Sequence, residues 1–238
     1  MTERLFTDVE YNYKFIEERI FEAALKSGRK REDITFLAAT KTVDVEVINY
    51  AVSLGLKYIG ENKVQELLSK YDNYDLDNAS LQFIGHLQTN KVRQIVGKVD
   101  LIQSVDSVKL AKEISKQSIK NNINTDVLIE VNIGEEESKS GVKADKLYEL
   151  IDEIKDFENI SIKGLMCIPP ICDSPQKNLK FFDKMNNIFI DISGKNIDNI
   201  SMDILSMGMS ADYYEAILCG ANMVRIGSSL FGARDYSK

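Results

Sequence analysis

Leu205-Ser206-Met207-Gly208-Met209-Ser210 and Val224-Arg225-Ile226-Gly227-Ser228 each set small residues directly after a short apolar run. A strand that ends this way delivers the chain to a loop able to cradle an anion, because glycine admits an oxygen close to the backbone and serine adds a hydroxyl. Lys41 holds the matching place early in the chain, behind Ile34-Thr35-Phe36-Leu37-Ala38-Ala39. Segments so distant in sequence share one pocket if parallel strands bring all their C-terminal ends to one face.

Working outward, short β-branched runs alternate with longer helical patterns along the whole chain. Candidate strands are 34–39, 58–60, 81–84, 99–103, 127–131, 160–166, 202–205 and 223–226, and helical patterns lie at 45–53, 63–71, 108–119, 146–155, 177–192 and 211–218. Strand-then-helix repeats imply a parallel sheet, and eight of them predict closure into a (β/α)8 TIM barrel; an open doubly wound sheet is the alternative. Polar and glycine residues gather just after the strands, at Lys41, Glu61-Asn62, Gly85-His86, Ser104 and Asn132. A phosphate site built from the loops after strands seven and eight recurs in such barrels, and the two small-residue loops fall there.

Ahead of the repeats, residues 3–27 read as an additional N-terminal helix, with Phe15, Ile16, Ile20, Ala23, Ala24 and Leu25 on one side. Gly28 stands where a helix C-terminal glycine is expected, and Lys26, Arg29, Lys30 and Arg31 suit the negative end of its dipole.

The 238 residues suit one barrel domain spanning 1–238, and no composition shift marks a linker. The net charge of −7 argues against nucleic acid or an anionic membrane as partner, since both need a basic face. The first residues carry neither a secretory pattern nor a membrane anchor, so a cytoplasmic protein is expected. Cys167, Cys172 and Cys219 form no Cys-x-x-Cys pair and read as reduced, buried thiols rather than metal ligands.

A phosphate cradle facing a lysine at a strand end suits a ligand with both a phosphate and an aldehyde, of which pyridoxal 5′-phosphate (PLP) is the common example. Imine formation needs a setting that disfavours the ammonium of Lys41; alone, the residue reads as a surface lysine. Ser210 precedes a helical pattern, so its hydroxyl serves either as an N-cap or as an anion contact; Gly227 and Ser228 pose the same choice after the eighth strand. Arg225 lies in an apolar strand and must face a pocket or be paired: with PLP it would meet the ring nitrogen and keep it unprotonated, and otherwise it forms an internal salt bridge. Asn62 either caps the helix beginning near Lys63 or touches the ligand ring. His86, the only histidine, reads as structural, and Lys139 lies in the charge-balanced segment Glu135-Glu136-Glu137-Ser138-Lys139 or supplies a second positive group. No serine triad, paired carboxylates, His-Glu-x-x-His or Gly-x-x-x-x-Gly-Lys motif can be assembled, so no catalytic residue is assigned.

With these positions in place, the chain resembles the pyridoxal phosphate homeostasis proteins, the YggS/PROSC family related to the N-terminal barrel of alanine racemase. The resemblance runs through Thr40-Lys41-Thr42, Ile59-Gly60-Glu61-Asn62 with Val64-Gln65-Glu66, Val131-Asn132-Ile133-Gly134, Lys139-Ser140-Gly141-Val142, the two loops quoted above and Gly232-Ala233-Arg234-Asp235. It implies a PLP Schiff base on Lys41, phosphate contacts at Ser210, Gly227 and Ser228, and ring contacts from Asn62 and Arg225. Where many members carry a second lysine and a proline soon after the imine lysine, this chain has Val43-Asp44. The function so implied is a non-catalytic carrier in vitamin B6 homeostasis that buffers PLP or delivers it to PLP-dependent apo-enzymes; apart from the resemblance, a monomer is expected. A PLP-dependent amino-acid racemase is the alternative. Racemisation needs acid–base groups on both faces of the substrate carbon. A sugar-phosphate barrel enzyme would use the same loops but leave Lys41 and Arg225 without a task.

Overall fold

The computed structural model of the chain describes residues 6–170 and 174–232. Eight parallel strands run through it: β1 (Thr35–Ala39), β2 (Tyr58–Glu61), β3 (Ser80–Phe83), β4 (Leu101–Val105), β5 (Thr125–Asn132), β6 (Ile160–Cys167), β7 (Ile200–Met209) and β8 (Met223–Ile226). Their spatial order is β4-β3-β2-β1-β8-β7-β6-β5, and β4 pairs with β5 to close the ring. Closure rules out the open doubly wound sheet, which would leave two edges unpaired. A further two-residue strand, Val142–Lys143, pairs with Val131 and Asn132 of β5. The seventh strand is ten residues long, well beyond the expected 202–205. Pairing with β6 reaches Ser206, and pairing with β8 at Ser206 and Met209 carries it on past Gly208; neither small side chain contributes an apolar signal.

Helices α1 (Phe6–Lys26), α2 (Val45–Ser53), α3 (Val64–Lys70), α4 (Val92–Ile95), α5 (Val108–Asn121), α6 (Leu147–Ile154), α7 (Leu179–Gly194), α8 (Tyr213–Leu218) and α9 (Ser228–Phe231) lie outside the ring. Among the described residues no helix is long and apolar enough to cross a membrane. The element after β8 is a single turn, too short to cover its strand. The N-terminal helix compensates by packing on α8, α9 and α2, where an eighth outer helix would lie. It buries Val9, Ile16, Ile20, Ala23 and Ala24 there. Phe15 and Leu25, expected on that face, are instead about half exposed, at 51% and 55%. Gly28 ends the helix as expected, at φ 74°, with the Arg29 amide donating back to the Ala24 carbonyl. The Arg29 guanidinium donates through Nε to the Ser27 hydroxyl at its own helix end and also reaches across to the carbonyls of Ile217, in the last turn of α8, and of Ala221 just beyond it.

Two apolar clusters result. The larger lies between strands and helices. The smaller fills the barrel floor with Leu37, Ile84, Leu101, Leu128, Met166 and Met223, against which Ala39, Tyr58 and Ile204 pack. Side chains alternate across a strand, so these residues mark the inward line of each. One step further along the same lines stand Gln103, Glu130, Ser206 and Arg225, all buried. Met166 stands opposite Glu130 and Ser206 in the register, and Gln82 opposite Leu101, so polar and apolar side chains share the interior beneath the rim of the strand ends. Cys167 is buried at the end of β6, whereas Cys219 is only partly buried, contrary to the sequence expectation; Cys172 lies outside the described residues, as do residues 233–235 of the C-terminal motif.

Candidate functional site

The first and last strands are neighbours in the ring, with Leu37 opposite Arg225 and Ala38 opposite Ile226. Residues from opposite ends of the chain therefore meet at one strand-end pocket, where Lys41, Ala39 and Val43 face Gly227, Ser228 and Phe231. A Cβ at Gly227 would lie 3.0 Å from the Ala39 carbonyl oxygen, so glycine is what lets β8 leave the barrel so close to β1. The Ser210 hydroxyl accepts hydrogen bonds from the amides of Gly227 (3.1 Å) and Ser229 (3.2 Å). Ser210 is not the N-cap of the helix that follows it. That position falls to Asp212, whose carboxylate accepts from the Met209 amide and from Asn178, both at 2.7 Å, and so closes the turn that aims Ser210 at Gly227.

A buried polar network holds the backbone on either side of Lys41. Glu61, fully buried, accepts at Oε1 from the Thr40 hydroxyl (2.8 Å), Lys70 (2.9 Å) and the Tyr74 phenol (2.8 Å). Lys70 also donates to the Thr40 carbonyl (3.1 Å) and to Glu66 (2.7 Å), and Glu66 accepts from the Thr42 amide. Thr42 sits at φ 61°, a left-handed conformation costly for a β-branched residue, which the bond its amide donates to Glu66 helps to maintain. Burial and then the Glu61 charge push the Tyr74 phenol pKa up, keeping it a donor.

Beneath the rim, Arg225 donates to the Ser206 hydroxyl (2.6 Å) and the Cys167 carbonyl (2.9 Å). Its contacts are neutral acceptors, not the carboxylate that an internal salt bridge requires. Burial pushes its pKa down, opposed at longer range by Cys167, Glu130 and Asp212, and a guanidinium keeps its charge under such a shift. Glu130, 7% exposed, has its pKa raised to about 7, first by burial and then by Asp106, against the pull of Arg225.

Asn62 does not cap the helix after it. Lys63 holds that position, and the Asn62 Oδ1 is a buried acceptor with no hydrogen-bond donor in reach. The main chain of Asn62 is pressed onto Gly85, where a Cβ would come within 2.1 Å of the Asn62 carbonyl oxygen. His86 is more than half exposed, with Nδ1 3.2 Å from the Ser140 hydroxyl and 3.8 Å from Asp106. Lys139 pairs with Glu136 at 3.2 Å and reaches the Pro169 carbonyl at 3.5 Å, in keeping with a charge-balanced loop.

Five of the six residues read from the sequence as ligand contacts thus join in two groups: Lys41, Gly227 and Ser228 in one pocket with Ser210 bonded into it, and Arg225 below on β8, the strand that leads to Gly227. Asn62 enters by its vacant acceptor, one strand away. Sequence reasoning assigned no role to Gln82, Gln103, Glu130 and Ser206 inside the barrel, nor to Glu61 and Lys70 behind the lysine. Isolated polar residues in apolar strands were the available signal for the first four, and Glu61 stood among the strand-end polar residues; nothing local announces Lys70. A phosphate ester needs amides and hydroxyls at close range, a pyridine nitrogen needs a donor, and a ring hydroxyl needs an acceptor. The glycine-dependent gap at Gly227, the hydroxyl already bonded to the amides there, the buried Arg225 and the vacant Asn62 oxygen meet those needs, so the residues fit PLP.

The family model of the alanine racemase N-terminal domain matches residues 33–235. A pyridoxal phosphate homeostasis protein of Aquifex aeolicus is 46% identical over 220 residues, covering 92% of this chain and 95% of that one. The crystal structure of an unknown protein from Bifidobacterium adolescentis superposes with a TM-score of 0.90 at 30% identity, over 95% of both chains. PipY of Synechococcus elongatus, solved with PLP bound, gives a TM-score of 0.78 at 27% identity, over 91% of this chain and all of that one.

Proposed function

We propose, from the premise that this chain belongs to the pyridoxal phosphate homeostasis protein family built on the alanine racemase N-terminal domain, that it binds PLP and holds it in reserve inside the cell without turning over a substrate. In this reading Lys41 is the amine that makes the covalent link. Ser210, Gly227 and Ser228 bind the phosphate, and Asn62 and Arg225 contact the ring. PLP when bound supplies an aldehyde able to react with amines; the residues around it keep that reactivity confined and reversible.

The observation that carries the reading is the Ser210 hydroxyl seated on the Gly227 and Ser229 amides, with Gly227 lining the same pocket as Lys41. Turning the Ser210 side chain off those amides would free both as donors for one phosphate oxygen and bring the hydroxyl round as a third. Thr40 and Thr42, tied by Glu61, Lys70 and Glu66, hold the lysine backbone still, so that little freedom is lost when the amine is captured. Arg225, being always charged, donates to a ring nitrogen only while that nitrogen is unprotonated. This makes the ring a poor electron sink and favours storage over amino-acid chemistry.

Borohydride reduction of the protein loaded with PLP, followed by peptide mass mapping, tests the assignment: the adduct is expected on Lys41, and an adduct on another lysine refutes it. The carrier reading further expects that the loaded protein leaves D- and L-alanine unchanged yet restores activity to an apo-enzyme that depends on PLP. Steady racemisation would overturn it.

A further inference from the structure

The guanidinium of Arg225 is the end of a chain of hydrogen bonds whose direction is set along its whole length. Gln103 donates from Nε2 to Gln82 Oε1 at 2.7 Å, with the Met223 sulfur as a second acceptor at 3.1 Å. Its own Oε1 thereby faces Ser206, whose hydroxyl donates to it at 2.7 Å. A hydroxyl has one proton, so with that proton committed Ser206 can offer Arg225 only lone pairs, which it does at 2.6 Å. Ser206 and Gln103 are fully buried and Gln82 is 3% exposed. Amides and hydroxyls cannot change charge near neutral pH, so the order of donors and acceptors does not vary with pH as a carboxylate partner would.

Two consequences separate this arrangement from ordinary core polarity. A carboxylate in contact with Arg225 would neutralise it and fill its donors; neutral acceptors at Ser206 and Cys167 hold the group while leaving its charge unmatched at contact. A buried charge left so is stabilised by any further acceptor brought within reach, and the ring nitrogen of PLP is such an acceptor. The relay also spans three strands, β3, β4 and β7, before it meets Arg225 on β8, so the barrel as a whole sets where that side chain points.

We infer that Ser206 and Gln103 are positioning residues for PLP: acting through Arg225, they fix its guanidinium where it can donate to an unprotonated ring nitrogen. This rests on the function proposed above. Ser206→Ala and Gln103→Met keep shape while breaking the relay, and Ser206→Thr keeps the hydroxyl. Each is prepared as the full chain, alone and combined with Arg225→Gln, and PLP affinity is measured by equilibrium dialysis beside the absorption spectrum of the bound form. The loss of one charge-assisted hydrogen bond predicts about tenfold weaker binding for Ser206→Ala and for Gln103→Met, with Ser206→Thr near wild type. The absorption band should move in the direction seen for Arg225→Gln, a change that a loss of core packing alone does not cause. In the Arg225→Gln background, Ser206→Ala should weaken binding no further, because the residue through which it acts is gone. Additive losses in the double variant, or an unaltered band and affinity in both single variants, overturn the inference while wild type still binds PLP on Lys41. Wild-type protein that takes up no PLP overturns it together with the function on which it rests.

Discussion

Glu130 offers a measurement of how dry the barrel interior is. Its carboxyl titrates at 4.5 in the ordinary case and at about 7 in the fold, raised first by burial and then by the negative charge of Asp106, with Arg225 pulling the other way. Between these values the unfolded chain gives up the proton while the folded chain keeps it. Stability therefore falls as pH rises through that window and levels off above it. At about 1.36 kcal/mol per pKa unit, the loss between pH 5 and pH 8 comes to about 2.5 kcal/mol. Glu130→Gln resembles the protonated carboxyl and cannot ionise. Urea unfolding of both proteins without PLP, followed by circular dichroism in steps from pH 5 to pH 8, should show wild type losing about 2.5 kcal/mol more than the variant. Titrating groups that do not interact with Glu130 are common to both and cancel in the difference. The variant should be the more stable protein at pH 8. Parallel stability curves would show that Glu130 ionises in the fold as readily as in water, and that the interior is wetter than its 7% exposure implies.

Two further substitutions test the frame around the site. Lys70→Met leaves the fully buried Glu61 carboxylate without its cation and should cost about 3–5 kcal/mol in urea unfolding. Adding Glu61→Gln should recover part of that cost, whereas simple additivity of the two changes would deny that they form one unit. Gly85→Ala puts a methyl group 2.1 Å from the Asn62 carbonyl oxygen and should lower stability by about 1–3 kcal/mol, read as a drop in thermal midpoint, because β2 must shift to admit it. A midpoint equal to wild type would show that the close approach of Asn62 to Gly85 is not maintained.

Much of the barrel was legible because it depends on local alternation. Eight β-branched runs separated by helical patterns leave few topologies open, and all eight strands formed near their expected places, although the long β7 outran its apolar signal. The N-terminal helix was legible for the same reason, and Gly28 marked its end. Its facing was less so: Phe15 and Leu25 share the apolar periodicity, yet they point outward because α8, α9 and α2 cover only part of its circumference.

At the site, residue types at strand ends were readable from the sequence, since a lysine or a serine after an apolar run has few ways to be buried. Partners were not. Ser210 read equally as the cap of the helix that follows, and only the structure turned its hydroxyl to the amides of Gly227 and Ser229. Arg225 read either as a ligand contact or as half of a salt bridge, and the fold gave it Ser206 and a carbonyl.

The sequence alone therefore determined the alternation of elements, the class of fold and the kind of chemistry, because hydrophobic period and residue type act within a few positions of one another. Tertiary structure decided which polar atoms meet. Gln82, Gln103, Ser206 and Arg225 come from four strands, and Glu61 and Lys70 approach Thr40 from separate elements. Ring closure and burial bring these groups together, and once water is excluded each buried donor or acceptor must find its partner across the barrel, not along the chain.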